Sequence, residues 1–135
     1  MAFVTVNGKK AFYTCPRDVA GGETRGKVVL LIHGARSNYK IWAPQIKALA
    51  WNHTPIGMDL PGHGGSQGPA SIDVSEYREF IKGLVDALGL QKFVMAGHSM
   101  GGSIALDYAL HYPGVEALIP VGSAAKWAID QEYIA

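Results

Sequence analysis

The sequence predicts an α/β domain: a mostly parallel, twisted sheet with helices on both faces. Three observations predict it. Lys27–Ile32 and Lys92–Ala96 are each a lysine followed by unbroken apolar residues, with none of the alternation of a half-exposed strand. Segments of helical period follow such runs, and strand–helix units in series build parallel sheets. Seventeen glycines and seven prolines punctuate the chain at short intervals and separate the segments. The 135 residues are expected to form one domain without repeats or linkers.

The elements follow in order. Phe3–Val6 and Lys10–Thr14 flank Asn7-Gly8, a dipeptide suited to a two-residue hairpin turn. Pro16–Gly26 is a polar loop. Lys27–Ile32 is a buried strand ending at His33-Gly34. Ile41–Trp51 places apolar residues at 42, 46, 49 and 50, which is helical spacing. Pro55–Leu60 is a short strand before the turn-rich stretch Pro61–Pro69. Ser71–Gly89 is the clearest helix. Asp73 and Glu76 are expected to cap its start as a pair. Tyr77, Phe80, Ile81, Leu84, Val85 and Leu88 form its apolar stripe, and Gly89 is its stop. Lys92–Ala96 is a buried strand, Gly101–Tyr112 a helix closed by Pro113, and Ala117–Val121 a last strand. Parallel strands leave their C-terminal ends on one edge, where loops can build a site.

Composition narrows the function classes. Twelve Lys and Arg against eleven Asp and Glu give a net charge of +1, which advertises no face for nucleic acid or an anionic membrane. The longest apolar run is Val28–Ile32, far short of the ~20 residues of a membrane helix. The start, Met1 to Asn7, lacks a basic segment followed by a long apolar one, so no signal peptide and a cytoplasmic location are expected. Cys15 is the one cysteine, so neither an internal disulfide nor a cysteine metal cluster is expected. No cofactor is implied.

The chemistry lies at strand ends. Lys92–Ala96 runs into Gly97-His98-Ser99-Met100-Gly101-Gly102 and then a helix. Gly-x-Ser-x-Gly alone is a common tight turn, but between strand and helix it is a nucleophile elbow. The serine must sit at the tip of a sharp, strained bend, and a side chain at 97 or 101 would crowd the neighbouring strand or helix. The N–H of Met100, at the helix start, then faces the place where a negative oxygen would form. His33-Gly34-Ala35-Arg36-Ser37-Asn38 follows the strand expected beside the serine strand, where a second N–H would come from. Asp59-Leu60-Pro61-Gly62-His63-Gly64-Gly65-Ser66 follows the next strand.

These three stretches, in this order and at these distances, resemble the α/β-hydrolase family over Phe3 to Ala125, with the flavour of its soluble esterases, lipases and haloperoxidase-like members. The resemblance implies Ser99 as nucleophile and the N–H groups of Ala35 and Met100 as the oxyanion hole. His33, Gly34, Gly97, His98 and Gly101 would support them. It implies acyl transfer from a small ester-like substrate to water through an acyl-enzyme. A serine at the elbow argues against haloalkane dehalogenases and epoxide hydrolases, which carry a carboxylate there.

In this family the acid and then the histidine follow the serine. Here His111 is the one histidine after Ser99, and it lies twelve residues along the next helix, about 18 Å away. By resemblance the chain is expected to be a truncated hydrolase core: strands one to six of eight, without the acid-bearing and His-bearing loops, and weak or inactive alone. Asp107, Glu116, Asp130 and Glu132 are the acidic residues after Ser99, and Asp130 is the candidate for a shortened arrangement. His33 is the nearest other histidine, structural by the resemblance but a base in an improvised small esterase, one that residues donated across a dimer would complete. His63 is expected to tie its loop, Asp59 to satisfy loop N–H groups, and His53 to be a surface residue. Arg36 is expected to be solvated. Trp127 and Tyr133 fall where relatives insert a lid. Ala117-Leu118-Ile119 reads as interior, yet without further strands it would be an edge inviting a homodimer or a complementing C-terminal half. Pro120 fits an edge only with its nitrogen turned away from the serine strand. A non-catalytic binding or assembly module that keeps the elbow as scaffold is the rival reading.

Overall fold

The computed structural model describes residues 2–123. The segments are β1 (Ala2–Val6), β2 (Lys9–Thr14), β3 (Val28–Ile32), a 3-10 turn (Tyr39–Trp42), α1 (Ala43–Leu49), β4 (Thr54–Met58), α2 (Val74–Ala87), β5 (Phe93–His98), α3 (Met100–His111) and β6 (Val115–Val121). They form one six-stranded sheet in the order β1-β2-β4-β3-β5-β6. The β1–β2 and β2–β4 pairs are antiparallel, and β4, β3, β5 and β6 run parallel.

The hairpin turns at Asn7 (φ 50°) and Gly8 (φ 78°), both left-handed, as a two-residue turn with the right twist requires. Strand β3 is buried throughout, and its residues alternate between two cores. Leu30 and Ile32 join Ile56, Met58, Met95 and the apolar stripes of α2 and α3 in the larger core. Val29 and Leu31 join Trp42, Ala96, Ile46 and Leu49 on the α1 face. The sheet is therefore covered on both sides, which is why its strands lack alternation.

Boundaries differ from expectation where side chains claim the backbone. A 3-10 turn precedes α1, capped by Asn38, whose Oδ1 accepts from Lys40 N–H at 2.9 Å. Strand β4 stops at Met58 because the Leu60 N–H is spent on His33 Nε2 at 3.0 Å. Helix α2 starts after Asp73, not at Ser71. The Asp73 carboxylate accepts from the N–H and hydroxyl of Ser75, and both hydrogen bonds hold its pKa below the usual carboxylate value. The expected Asp73–Glu76 pairing is replaced: the Asp73 N–H donates to Ser71 Oγ at 2.9 Å. The helix ends as expected at Gly89 (φ 68°), with Gly89 N–H to the Asp86 carbonyl and Leu90 N–H to the Val85 carbonyl.

Among the described residues strand β6 pairs with β5 alone. Ala117 and Ile119 are exposed, so the apolar run expected to be interior lies open at the sheet's edge. Ser99 N–H donates to the Val121 carbonyl at 2.9 Å. Val121 thus turns its polar groups toward β5, and strand alternation turns the Pro120 nitrogen the other way. No helix among the described residues is long and apolar enough to cross a membrane. Asp130, Trp127, Glu132 and Tyr133 lie outside the described residues.

Candidate active site

Strands β4, β3 and β5 are parallel neighbours, so the segments that leave their C-terminal ends meet on one edge of the sheet. Ser99 is the residue between β5 and α3. Its backbone sits at φ 55°, ψ −118°, a left-handed conformation that costs a residue with a side chain about 1–3 kcal/mol. Its hydroxyl makes no capping bond to α3. Glycines permit the bend. A Cβ on Gly97 would lie 2.2 Å from the Gly101 carbonyl, and one on Gly101 would lie 2.3 Å from the Ile32 carbonyl oxygen and 2.6 Å from that of His33. Strand, bend and helix therefore close on backbone with no room for a methyl. Met100, first residue of α3, is fixed by its side chain in the larger core, and its N–H lies in the unpaired first turn.

Gly34 lies against this bend. A Cβ there would stand 3.3 Å from Ser99 Cβ, 3.1 Å from the His98 carbonyl oxygen and 3.6 Å from His98 Nδ1. His98 and Ala35 are exposed. His33 is fully buried, and both of its ring nitrogens are engaged. Leu60 N–H donates to Nε2, so Nδ1 carries the proton and donates to the Gly34 carbonyl at 2.7 Å. The peptide is trans, so pinning this carbonyl aims the Ala35 N–H the opposite way, off the imidazole. His33 has no lone pair left to accept a proton from Ser99.

His63 braces the same loop. Its Nε2 accepts from Arg36 N–H at 3.2 Å, and its Nδ1 donates to the Pro61 carbonyl at 3.0 Å. The two imidazole rings lie 5.0 Å apart. Arg36 itself is exposed, with φ 58°. The buried Asp59 carboxylate accepts from Tyr39 N–H and Gly65 N–H, each at 2.8 Å. Its carbonyl accepts from the Ser66 hydroxyl, which in turn accepts from Phe12 N–H. The segments after β3 and β4 are thereby one hydrogen-bonded unit beside Ser99.

Other histidines lie elsewhere. His111 caps the far end of α3, where Nδ1 donates to the Asp107 carbonyl and Asp107 pairs with Arg78. His53 is more than a surface residue: its Nδ1 accepts from Lys27 N–H at 3.0 Å, and its carbonyl accepts from Arg17. Among the described residues no three of His, Cys, Asp and Glu stand together as a metal ion would require. One contact to the elbow carried no sequence signal beyond its place at a strand end: Ser123 Oγ donates to the Ser99 carbonyl at 2.8 Å.

Burial holds the His33 imidazole below its usual value of 6.5, and the nearby His63 adds to this. The Gly34 carbonyl and Asp59 work against it. With the folded-state value the lower one, the unfolded chain takes up the proton first on acidification. The stability tied to neutral His33 is whole above about pH 6.5 and declines as pH falls below it. Denaturant melts at pH 7.5 and 5.5 should show the loss, and His33→Asn, which cannot titrate there, should show a shallower one. An equal slope in both proteins contradicts it.

Comparisons agree with this architecture. The sequence profile described as "alpha/beta hydrolase fold" matches residues 27–135. An uncharacterised protein of Mycobacterium bovis is 34% identical over 125 residues, covering 91% of this chain and 35% of its own. Epoxide hydrolase 4 of Mus musculus is 32% identical, covering 86% of this chain and 33% of its own. The crystal structure of an esterase from Exiguobacterium antarcticum superposes with TM-score 0.77 at 29% identity, over 92% of this chain and 46% of that one. The chain thus spans about a third of the length of these curated relatives. A profile match across four-fifths of the residues, on a sheet of this order, settles the family: the chain belongs to the alpha/beta hydrolase fold.

Proposed function

We propose that this chain carries the nucleophile and oxyanion-hole half of a serine hydrolase of the carboxylesterase type, acting on small ester-like substrates. The observation that carries the reading is the left-handed backbone of Ser99 at the β5–α3 junction, with its hydroxyl uncommitted to the helix. Strain of this kind persists where the surrounding structure imposes it, and it clusters at active sites.

In the proposed reaction Ser99 Oγ attacks the ester carbonyl carbon and its proton passes to a base. The carbonyl oxygen becomes an oxyanion bound by the N–H groups of Ala35 and Met100. The tetrahedral intermediate collapses, the C–O bond to the alcohol breaks, and the alkoxide leaves with the proton. Water then hydrolyses the acyl-serine by the same route. His33 is engaged at both nitrogens and His111 sits at the other end of α3, so base and acid would come from outside the described residues. The open side of β6 is where their strands would join, from the rest of a longer protein or from a second copy. The similarity to epoxide hydrolases marks a second reaction class, and the serine hydroxyl at the elbow is what favours the ester reading over it.

A rhodamine-tagged fluorophosphonate tests the reading. It should label Ser99, located by peptide mass, and Ser99→Ala should abolish the label. Light scattering on the same sample gives the copy number. Labelling that survives in Ser99→Ala, or its absence from a protein carrying its full complement of strands, overturns the reading.

A further inference from the structure

The strained backbone of Ser99 is held from three sides. Its N–H donates to the Val121 carbonyl at 2.9 Å, at the end of β6. Its carbonyl accepts from Gly102 N–H at 3.0 Å and from the Ser123 hydroxyl at 2.8 Å. The first carbonyl contact is ordinary helix geometry. The second comes from another element, two residues past the end of β6. The Ser123 hydroxyl has one proton and two acceptors in reach, the Ser99 carbonyl and, longer at 3.2 Å, that of Val121.

Space for this contact is built in. A Cβ on Gly102 would lie 1.9 Å from Ser123 Oγ and 2.5 Å from its Cβ. The second glycine of Gly101-Gly102 thus does a different job from the first. Gly101 lets α3 close on β3, while Gly102 admits the Ser123 side chain to the Ser99 carbonyl. The bonds from Val121 and Ser123 grip the Ser99 residue at its N–H and its C=O, the groups whose orientation fixes φ and ψ. Rotation of either would swing Oγ away from the sheet edge.

We propose that Ser123 is a positioning residue for Ser99: its hydroxyl, seated in the space left by Gly102, holds the nucleophile's backbone in the reactive bend. This rests on Ser99 being the nucleophile. The edge strand then contributes to reactivity directly, and a change at the end of β6 is felt at the serine without touching substrate.

Two measurements on Ser123→Ala and Ser123→Thr test it. The first is the second-order rate of Ser99 labelling by the rhodamine-tagged fluorophosphonate, well below the thermal midpoint, with Ser99→Ala as blank. Ser123→Ala should label about tenfold more slowly, since small misplacements of a reacting group are costly. Ser123→Thr, which keeps the hydroxyl, should label within about twofold of wild type. A merely structural serine would lower the midpoint and leave this rate unchanged. The second measurement needs no reactivity: the ¹³Cα and amide shifts of Ser99 should move in Ser123→Ala and stay in Ser123→Thr. Unmoved shifts, or equal labelling rates, overturn the proposal. Moved shifts in a protein that carries its full complement of strands and whose wild type takes no label uphold the grip on the backbone and overturn the nucleophile reading alone.

Discussion

Gly101→Ala should destabilise the chain by about 3 kcal/mol or more and lower the melting temperature by about 10 °C or more. The added methyl would stand 2.3 Å from the Ile32 carbonyl oxygen and 2.6 Å from that of His33. Both are backbone atoms at the exit of β3, and that strand is bonded on either side to β4 and β5. A flexible side chain would swing aside, but here the sheet or the helix must move. Moving α3 pulls Met100, Ile104 and Tyr108 out of the larger core, and moving β3 breaks the central ladder. Gly89→Ala separates clash from strain. Gly89 also has a left-handed φ, 68°, but a Cβ there meets nothing within 4 Å. That variant should lose about 1 kcal/mol, the conformational term alone. Chemical denaturation of both variants decides the matter, and equal losses would mean that close packing at the elbow is not what Gly101 provides.

Gly101 also shows why so much of the site was legible in the sequence. A glycine flanking a serine between a buried run and a helical run is a local pattern with one steric meaning, and the structure supplies the carbonyls that give it force. The hairpin, the apolar stripe of α2 and the stop at Gly89 are equally local. What escaped was non-local. Leu60 ends a strand early because an imidazole from another loop takes its N–H. Asp73 turns to Ser71 and Ser75 where Glu76 was expected. His53 reaches back to Lys27 across 26 residues, and Ser123 reaches Ser99 across 24. Spacing rules describe one element at a time, and these contacts join elements whose adjacency is decided by strand order. Ala117-Leu118-Ile119 reads as interior for a related reason: apolarity reports what a strand is suited to pair with, and among the described residues β6 has one partner.

Asp59→Ala should cost about 3–5 kcal/mol, the other large effect. Its carboxylate is buried, and each oxygen takes one backbone N–H: Tyr39 on the way into α1, and Gly65 in the loop after β4. Charge-assisted bonds of this kind contribute about 1.5–3 kcal/mol each, and the alanine leaves both N–H groups without their acceptor. Gly64 wraps the carboxylate so closely that a Cβ there would lie 2.0 Å from Oδ2, so no larger acceptor fits from that side. Asp59→Asn is nearly isosteric but not conservative. It keeps one acceptor and turns an NH₂ toward a backbone N–H, donor against donor, so it should lose at least half as much as alanine. Asp86→Ala is the contrast: it removes an exposed i,i+4 pair with Lys82 and should cost at most about 0.5 kcal/mol. Urea melts order the three variants. If Asp59→Asn matches wild type, the buried carboxylate is not the clasp between the segments after β3 and β4. The placement of the His33–Asn38 loop beside Ser99 would then have to rest on the two imidazoles, His33 through the Gly34 carbonyl and His63 through Arg36 N–H.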